Sequence, residues 1–160
     1  MILAVHAAAG AALGSTTQNL GLAAILGLAS HYLLDAIPHR EYSIKQIEVQ
    51  NFKKSFRDFL KVFFDLLIGC LIVIFIIRQK QDYLLPISFG AFFGLVPDGL
   101  ALSYFILNKI KPKWLIGRLL EKHHLSFHQK IQRKATSRTL SLIIQFLIVI
   151  TGLSIVWFSK

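Results

Sequence analysis

Long apolar runs, separated by short polar or basic stretches, dominate this chain. Three of these runs cover residues 59–77, 83–107 and 139–158. A helix needs about 20 residues to cross a hydrocarbon core about 30 Å thick. The first run holds two charged residues, the second holds one and the third holds none. The pattern therefore predicts three helices that cross a membrane.

The N-terminal region has a different apolar pattern, rich in alanine and glycine. Residues 1–14 and 20–36 are apolar, but each stretch is short for a full span, and the polar residues 16–19 between them predict a tight turn. Small residues let helix backbones approach closely in lipid, so we expect a close-packed helical hairpin over residues 1–36. The predicted fold is a single all-α domain, a polytopic membrane protein with four to five transmembrane helices.

Composition supports a membrane protein and excludes several other classes. Of the 160 residues, 54% are hydrophobic and 16% are charged, against roughly 25% charged in a typical soluble domain. These fractions exclude a disordered chain and argue against an ordinary soluble globule. The one cysteine, Cys70, excludes a disulfide framework and a cysteine-rich zinc site.

Lysine and arginine are concentrated in two loops, residues 39–58 and 108–138, whereas the opposite connections carry few. The positive-inside rule places the N-terminus and both basic loops in the cytoplasm. Residues 113–128 have amphipathic character and predict a cytoplasmic interfacial helix. The formal net charge of +10 is then explained by topology and by contact with anionic lipid headgroups. We expect no nucleic-acid partner, because no nucleic-acid-binding motif is visible.

Ionisable residues inside the apolar segments are the most informative part of the sequence. Placing one in lipid costs at least about 2.5–3.5 kcal/mol, so each needs a partner or a function. His31 and Asp35 lie four residues apart and share a helix face. His39 follows four residues later, and His6 lies among small residues that a partner helix can approach closely. Imidazole and carboxylate ligands at this spacing suit zinc, iron or manganese.

We therefore predict His6, His31, Asp35 and His39 as metal ligands. The alternative is a histidine–aspartate hydrogen bond that only fixes the hairpin. The loop at 108–138 adds two further candidate ligands, His123 and His128, for which the alternative is a basic surface helix with no metal role.

Two aspartates are candidate catalytic residues. Asp98 follows Pro97, which cannot donate a backbone hydrogen bond, and we expect a broken helix that lines a cavity there. Asp65 lies one turn after Lys61, and its alternative role is an ion pair within the helix. With the predicted topology, all the candidate residues fall in the same half of the membrane. That placement favours one site at the cytoplasmic interface.

Three short motifs resemble a known family. They are a histidine followed by small residues at 6–10, Gly-x-x-Pro-Asp at 94–98, and the histidines at 123 and 128. In these motifs the chain resembles small bacterial and archaeal inner-membrane proteins described as membrane-bound metal-dependent hydrolases, among them a LexA-regulated member. Residues 30–39 also resemble the His-x-x-x-Asp helix of zinc-dependent phospholipase C enzymes. Leu100 stands where that hydrolase family often has a second aspartate.

The resemblance and the site location together favour a membrane-embedded metal-dependent hydrolase. Its expected substrate is a phospholipid or a lipid-linked phosphate or ester at the cytoplasmic face of a prokaryotic inner membrane. A divalent ion, most simply zinc, lowers the pKa of water toward about 7, and Asp98 or Asp65 acts as general base. Two alternatives stay open. One is a non-enzymatic protein that binds or moves a metal ion or proton, and the other is a structural membrane subunit.

Overall fold

The fold was analysed in a computed structural model that describes residues 1–48, 51, 53–110 and 137–159. Every regular element in these ranges is helical, which confirms the all-α prediction. A short 3-10 turn, Gln81–Tyr83, joins the fourth and fifth helices. The helices are α1 (Leu3–Gly14), α2 (Leu20–Asp35), α3 (Lys45–Glu48), α4 (Phe56–Gln79), α5 (Leu84–Ile110) and α6 (Arg138–Phe158).

Among the described residues, three helical segments are long and apolar enough to cross a membrane, fewer than the four to five predicted. They are Phe56–Gln79, Gln81–Tyr104 and Arg138–Phe158. The helices α1 and α2 are shorter, with 12 and 16 residues. At 1.5 Å per residue, α1 is about 18 Å long, which is well short of the thickness of a hydrocarbon core, about 30 Å. The predicted interfacial helix at 113–128 lies outside the described residues.

Large apolar side chains cover the outward faces of α4 and α6. An exposed apolar surface of this extent is unusual for a monomeric soluble protein, and it suits contact with lipid tails. The exposed side chains include Phe63, Phe64, Leu71, Leu142, Phe146 and Trp157. The exposed apolar side chains of α4 and α6 therefore fit the membrane protein expected from the sequence.

Helix α1 lies at the centre of the bundle. It packs against α2, α4, α5 and α6, and nine of its 12 residues are buried. The turn after it leads directly into α2, where the side chain of Asn19 accepts a hydrogen bond of 3.0 Å from the backbone N–H of Leu22. This contact caps the N-terminus of α2. The two short helices thus form a hairpin in which α1 is surrounded by other helices, whereas α2 packs on α1 and α5 and leaves side chains such as Ile25 and Leu33 exposed.

Glycines allow the hairpin to touch α5 through its backbone. A side-chain Cβ at Gly90 of α5 would overlap the carbonyl oxygen of Gly10 in α1. A Cβ at Gly10, or at Gly27 of α2, would overlap the carbonyl oxygen of Gly90. Any side chain at these positions would therefore push the helices apart. Both hairpin helices cross α5 at the same residue.

The first prediction tests this crossing with two substitutions in α5. Gly90→Ala should lower the melting temperature of the detergent-purified protein by several degrees, because the added methyl group has no space. Gly99→Ala is the matched control, since a Cβ there meets nothing within 4 Å and alanine is favoured over glycine in a helix by about 1 kcal/mol. Equal melting temperatures for the two variants, measured by thermal unfolding, would contradict the backbone contact.

Candidate metal centre

Four of the predicted site residues come together at one end of the bundle. His6 is on α1, His31 and Asp35 are in the last two turns of α2, and Asp98 is on α5. The Nε2 atom of His6 lies 3.2 Å from Oδ1 of Asp35, and Nε2 of His31 lies 3.2 Å from Oδ2 of the same carboxylate. Asp35 therefore presents one oxygen to each histidine.

Asp98 faces the same two histidines from α5. Its Oδ2 lies 3.9 Å from Nε2 of His6, and its Oδ1 lies 3.9 Å from Nε2 of His31. The side chain of Asp98 is 22% exposed, whereas those of His6 and His31 are fully buried. Oδ2 of Asp98 is buried and accepts no hydrogen bond from the described residues. Asp98 thus borders the centre on its more accessible side.

The helix around Asp98 differs from the expected broken helix. Helix α5 continues through Pro97 to Ile110. The close contact is instead made at Gly94, where a Cβ would lie 2.8 Å from the carbonyl oxygen of His6. The absence of a side chain at Gly94 lets α1 approach, and one further turn along α5 brings Asp98 to the histidines. Proximity of the backbones, and not a break, positions this carboxylate.

The hydrogen bond of His31 determines which of its ring nitrogens carries a proton. Nδ1 of His31 lies 2.9 Å from the carbonyl oxygen of Gly94. A carbonyl oxygen can only accept, so Nδ1 is the donor and Nε2 of the neutral ring has a lone pair. That lone pair is 3.2 Å from a carboxylate oxygen of Asp35. Two acceptors at this distance repel unless a proton or a cation lies between them.

A second group of possible ligands adjoins the first. His39 is buried directly after α2, with Nε2 3.0 Å from Oε1 of Glu41 and 3.9 Å from Oδ1 of Asp35. Its Nδ1 lies 2.6 Å from the carbonyl oxygen of Ile37, so Nδ1 is again the donor and Nε2 faces carboxylates. The sequence analysis predicted His39 as a ligand but did not predict Glu41. The one sequence signal for Glu41 is that this acidic residue lies two positions after His39.

A positive charge lies between these carboxylates. The amine of Met1 is 2.8 Å from Oδ1 of Asp35 and 2.6 Å from Oε1 of Glu41. Burial lowers the pKa of this amine, but the charges of Glu41 and Asp35 outweigh burial and hold the pKa above its usual value. The carboxylates therefore create a local field that attracts cations.

Asp65, predicted as a catalytic base, binds the start of α1. Its carboxylate accepts hydrogen bonds from the backbone N–H groups of Leu3 (2.7 Å) and Ala4 (3.1 Å) and from the hydroxyl of Tyr42 (2.9 Å). Burial and the charge of Asp65 both raise the pKa of Tyr42, so its hydroxyl remains a donor at neutral pH. In the structure Asp65 of α4 acts as an N-terminal cap for α1.

Lys61 makes a different ion pair from the alternative considered for it. Its Nζ lies 2.7 Å from Oδ1 of Asp58, three residues before it, and donates to the carbonyl oxygen of Ser43 at 2.7 Å. Since the backbone N–H groups of α1 and Tyr42 bind Asp65, that carboxylate is satisfied without Lys61. The lysine instead links α4 to the segment that follows His39.

Helix α6 binds the same segment through two buried polar residues. The hydroxyl of Ser141 accepts from the backbone N–H of Arg40 at 2.8 Å, and Nε2 of Gln145 donates to the carbonyl oxygen of Arg40 at 3.4 Å. The sequence signal for this contact is a pair of polar residues that lie four apart, and so on one face, of a largely apolar helix.

Two sets of side chains have the spacing that a metal ion requires. One is His6, His31 and Asp98, and the other is Asp35, His39 and Glu41. Within each set the candidate ligand atoms all lie within 4.8 Å of one another. Zinc holds nitrogen and oxygen ligands at about 2.0–2.2 Å, which places neighbouring ligand atoms about 3–4 Å apart. The other two predicted ligands, His123 and His128, lie outside the described residues.

No protein family, curated protein or solved structure matches this chain. The functional argument therefore depends on the geometry of the centre and on its location in the fold.

The second prediction separates the role of Asp65 from that of the centre. Asp65→Ala removes the acceptor for two backbone N–H groups and for Tyr42, and leaving buried donors unsatisfied costs about 1–3 kcal/mol each. We expect a lower melting temperature, while metal content measured by elemental analysis stays unchanged per folded chain. Asp82→Ala, at an exposed carboxylate in the Gln81–Tyr83 turn, is the control. Loss of metal from folded Asp65→Ala protein would instead include Asp65 in the centre.

Proposed function

We propose that this protein is a membrane-embedded metal-dependent hydrolase acting at one membrane interface. The observation that carries the proposal is the convergence of two histidines on one carboxylate, with Nε2 of His6 and Nε2 of His31 each 3.2 Å from an oxygen of Asp35. A divalent cation would bind where these three side chains meet. The hydrogen bond from Nδ1 of His31 to a backbone carbonyl is the outer contact that metal-binding histidines commonly make.

Each residue of the centre then has a specific task. His6, His31 and Asp35 would hold the ion, which would supply Lewis-acid polarisation and make water more acidic. Asp98, on the accessible side, accepts a proton from water as the water oxygen bonds to the phosphorus or carbonyl carbon of the substrate. The ester bond to the alcohol breaks, and the proton held by Asp98 passes to the departing alkoxide. We propose zinc as the ion, because it binds nitrogen and oxygen ligands and makes water more acidic.

Location supports a lipid-related substrate. The centre lies near the N-terminal end of α1 and the C-terminal end of α2, with Asp98 reaching it from within α5, and apolar side chains are exposed on α4. We place this end in the cytoplasm of a prokaryotic cell, because the basic loops at 39–58 and 108–138 favour that side. Anionic phospholipid headgroups or lipid-linked phosphates would be concentrated there. In this topology the hairpin α1–α2 inserts together with the three spanning helices.

The proposed membership of the membrane-bound hydrolase family has support from the placement of its motifs. The histidine motif at 6–10 and the Gly-x-x-Pro-Asp motif at 94–98 lie on different helices, yet His6 and Asp98 meet at the centre.

Ion or proton movement across the membrane is a weaker candidate. A relay needs ionisable groups that continue to the far side. Beyond the centre, the described part of the bundle has an apolar core that includes Ala11, Ile76, Ile87 and Val156. A structural subunit is the remaining alternative, in which His31 and Asp35 form only an ion pair.

The third prediction tests metal binding. His31→Ala and His6→Ala should each remove most of the metal from detergent-purified protein, because each deletes a ligand nitrogen. Asp82→Asn, which changes an exposed carboxylate outside the centre, should keep the wild-type content. The measurement is elemental analysis after purification without chelators and with metal added back. If wild-type protein then contains no metal, the contacts of Asp35 are structural ion pairs and the hydrolase proposal is wrong.

The fourth prediction tests Asp98 as the proton acceptor. Asp98→Asn should keep the metal but lower the hydrolysis rate by about 100-fold or more, the usual contribution of a general base. Turnover is measured on lipid phosphates and esters in detergent micelles. If Asp98→Asn loses metal as completely as His31→Ala, Asp98 is a ligand and not the base.

A further inference from the structure

The two sets of possible ligands are joined by a single carboxylate. Oδ2 of Asp35 faces Nε2 of His31 in the first set, while Oδ1 is 3.9 Å from Nε2 of His39 in the second. Oδ1 also lies 3.2 Å from Nε2 of His6. Asp35 belongs to the second set and also contacts both histidines of the first, so the two sets are neighbours and not separate places on the protein.

We propose that these sets form one dinuclear metal centre in which Asp35 bridges two divalent ions. The first ion is held by His6, His31 and Oδ2 of Asp35, and the second by His39, Glu41 and Oδ1 of Asp35. Pairs of metal ions about 3.5–4 Å apart are a recurring arrangement for displacement at phosphorus. This inference rests on the proposed function and adds a second ion and a substrate class to it.

Hydrogen bonds to α4, to α6 and to the backbone carbonyl of Ile37 hold the segment that carries His39 and Glu41 in place. Tyr42 is hydrogen-bonded to Asp65 of α4, and the backbone of Arg40 is bound by Ser141 and Gln145 of α6. His39 is itself buried and has its Nδ1 fixed to a backbone carbonyl. Hydrogen bonds to other helices thus flank both ligands contributed by this segment.

Charge then indicates the substrate class. Asp35, Asp98 and Glu41 contribute three negative charges, and neutral histidines contribute none. Two divalent ions exceed these by one positive charge, so the loaded centre favours an anionic ligand. With a single ion and the Met1 ammonium group in the second position, the charges sum to zero, so this state has no excess positive charge to attract the same ligand. Two ions therefore favour a phosphate ester over a neutral carboxylic ester.

The amine of Met1 is the competitor for the second ion. It makes ion pairs with Oδ1 of Asp35 and Oε1 of Glu41, so a metal ion at this position must displace it. A divalent ion brings twice the charge, and direct coordination of both groups would replace the 3.0 Å hydrogen bond that joins Nε2 of His39 to Oε1 of Glu41. The metal ion and the amine cannot occupy this position together, so the number of ions bound per chain distinguishes the two.

The test uses the full chain in detergent, loaded with Mn²⁺ and freed of excess ion. We expect two Mn²⁺ per chain by elemental analysis and an exchange-coupled signal in electron paramagnetic resonance, because a shared carboxylate places the ions close together. Adding inorganic phosphate should change that signal as the anion binds to the pair. Competition between phosphate and substrate is then measured as inhibition of hydrolysis.

Variants of the second set should remove one ion only. Glu41→Gln, which keeps the shape of the side chain, and His39→Ala should each reduce the content to one Mn²⁺ with an uncoupled signal. Arg40→Gln is the matched control, because its exposed side chain lies between the two ligands in sequence and only its backbone binds α6. The control should keep two ions and the coupled signal.

The outcomes separate this inference from the proposed function. One Mn²⁺ in the wild-type protein overturns the second site and assigns its position to the Met1 amine, while the single-ion hydrolase stands. Two ions without exchange coupling overturn the bridge formed by Asp35. No bound ion overturns both proposals. Two coupled ions that do not respond to phosphate overturn the assignment of a phosphate substrate.

Discussion

The backbone contact of α1 and α2 with α5 is the constraint on which the centre depends. At Gly90 the two hairpin helices touch the same turn of α5, and no side chain separates them. Because α1 and α2 are short, small lateral shifts at this crossing would move their outer ends by similar distances. The histidines of both helices lie toward those ends. Their distances to Asp35 and Asp98 are therefore set by glycine packing one to two turns away.

A second physical theme is how buried charge is compensated. An isolated carboxylate in an apolar bundle is costly, and each buried aspartate here has defined contacts. Asp58 binds a lysine and a backbone N–H, and Asp65 binds backbone N–H groups and a tyrosine. Asp35 differs because its neighbours are mainly histidine nitrogens and an amine. The contacts of Asp58 and Asp65 are with protein donors, whereas the contacts of Asp35 are with the Met1 ammonium group and with histidine nitrogens that can bind a metal ion.

Much of this arrangement was accessible from the sequence. Length and hydropathy predicted the three spanning helices, and the i,i+4 spacing of His31 and Asp35 predicted their shared face. The meeting of His6 with Asp98 follows from a tertiary crossing, and the sequence offered only glycines as a hint of it. The contact of Asp65 with α1 was missed, because no local pattern shows that a carboxylate on one helix accepts from the start of another. Glu41 was missed because loop residues have no periodicity that indicates which way they face.

The capping of α1 by Asp65 has a consequence for how the chain is assembled. Helix α1 is made before α4, yet its first N–H groups bind a carboxylate that belongs to α4. Exposed N–H groups are poorly tolerated in lipid, and a helix of 12 residues is too short to reach water on both sides. The N-terminus of α1 is therefore completed only when α4 has formed and packed against it, so a helix that precedes α4 in the chain depends on α4 for its own end.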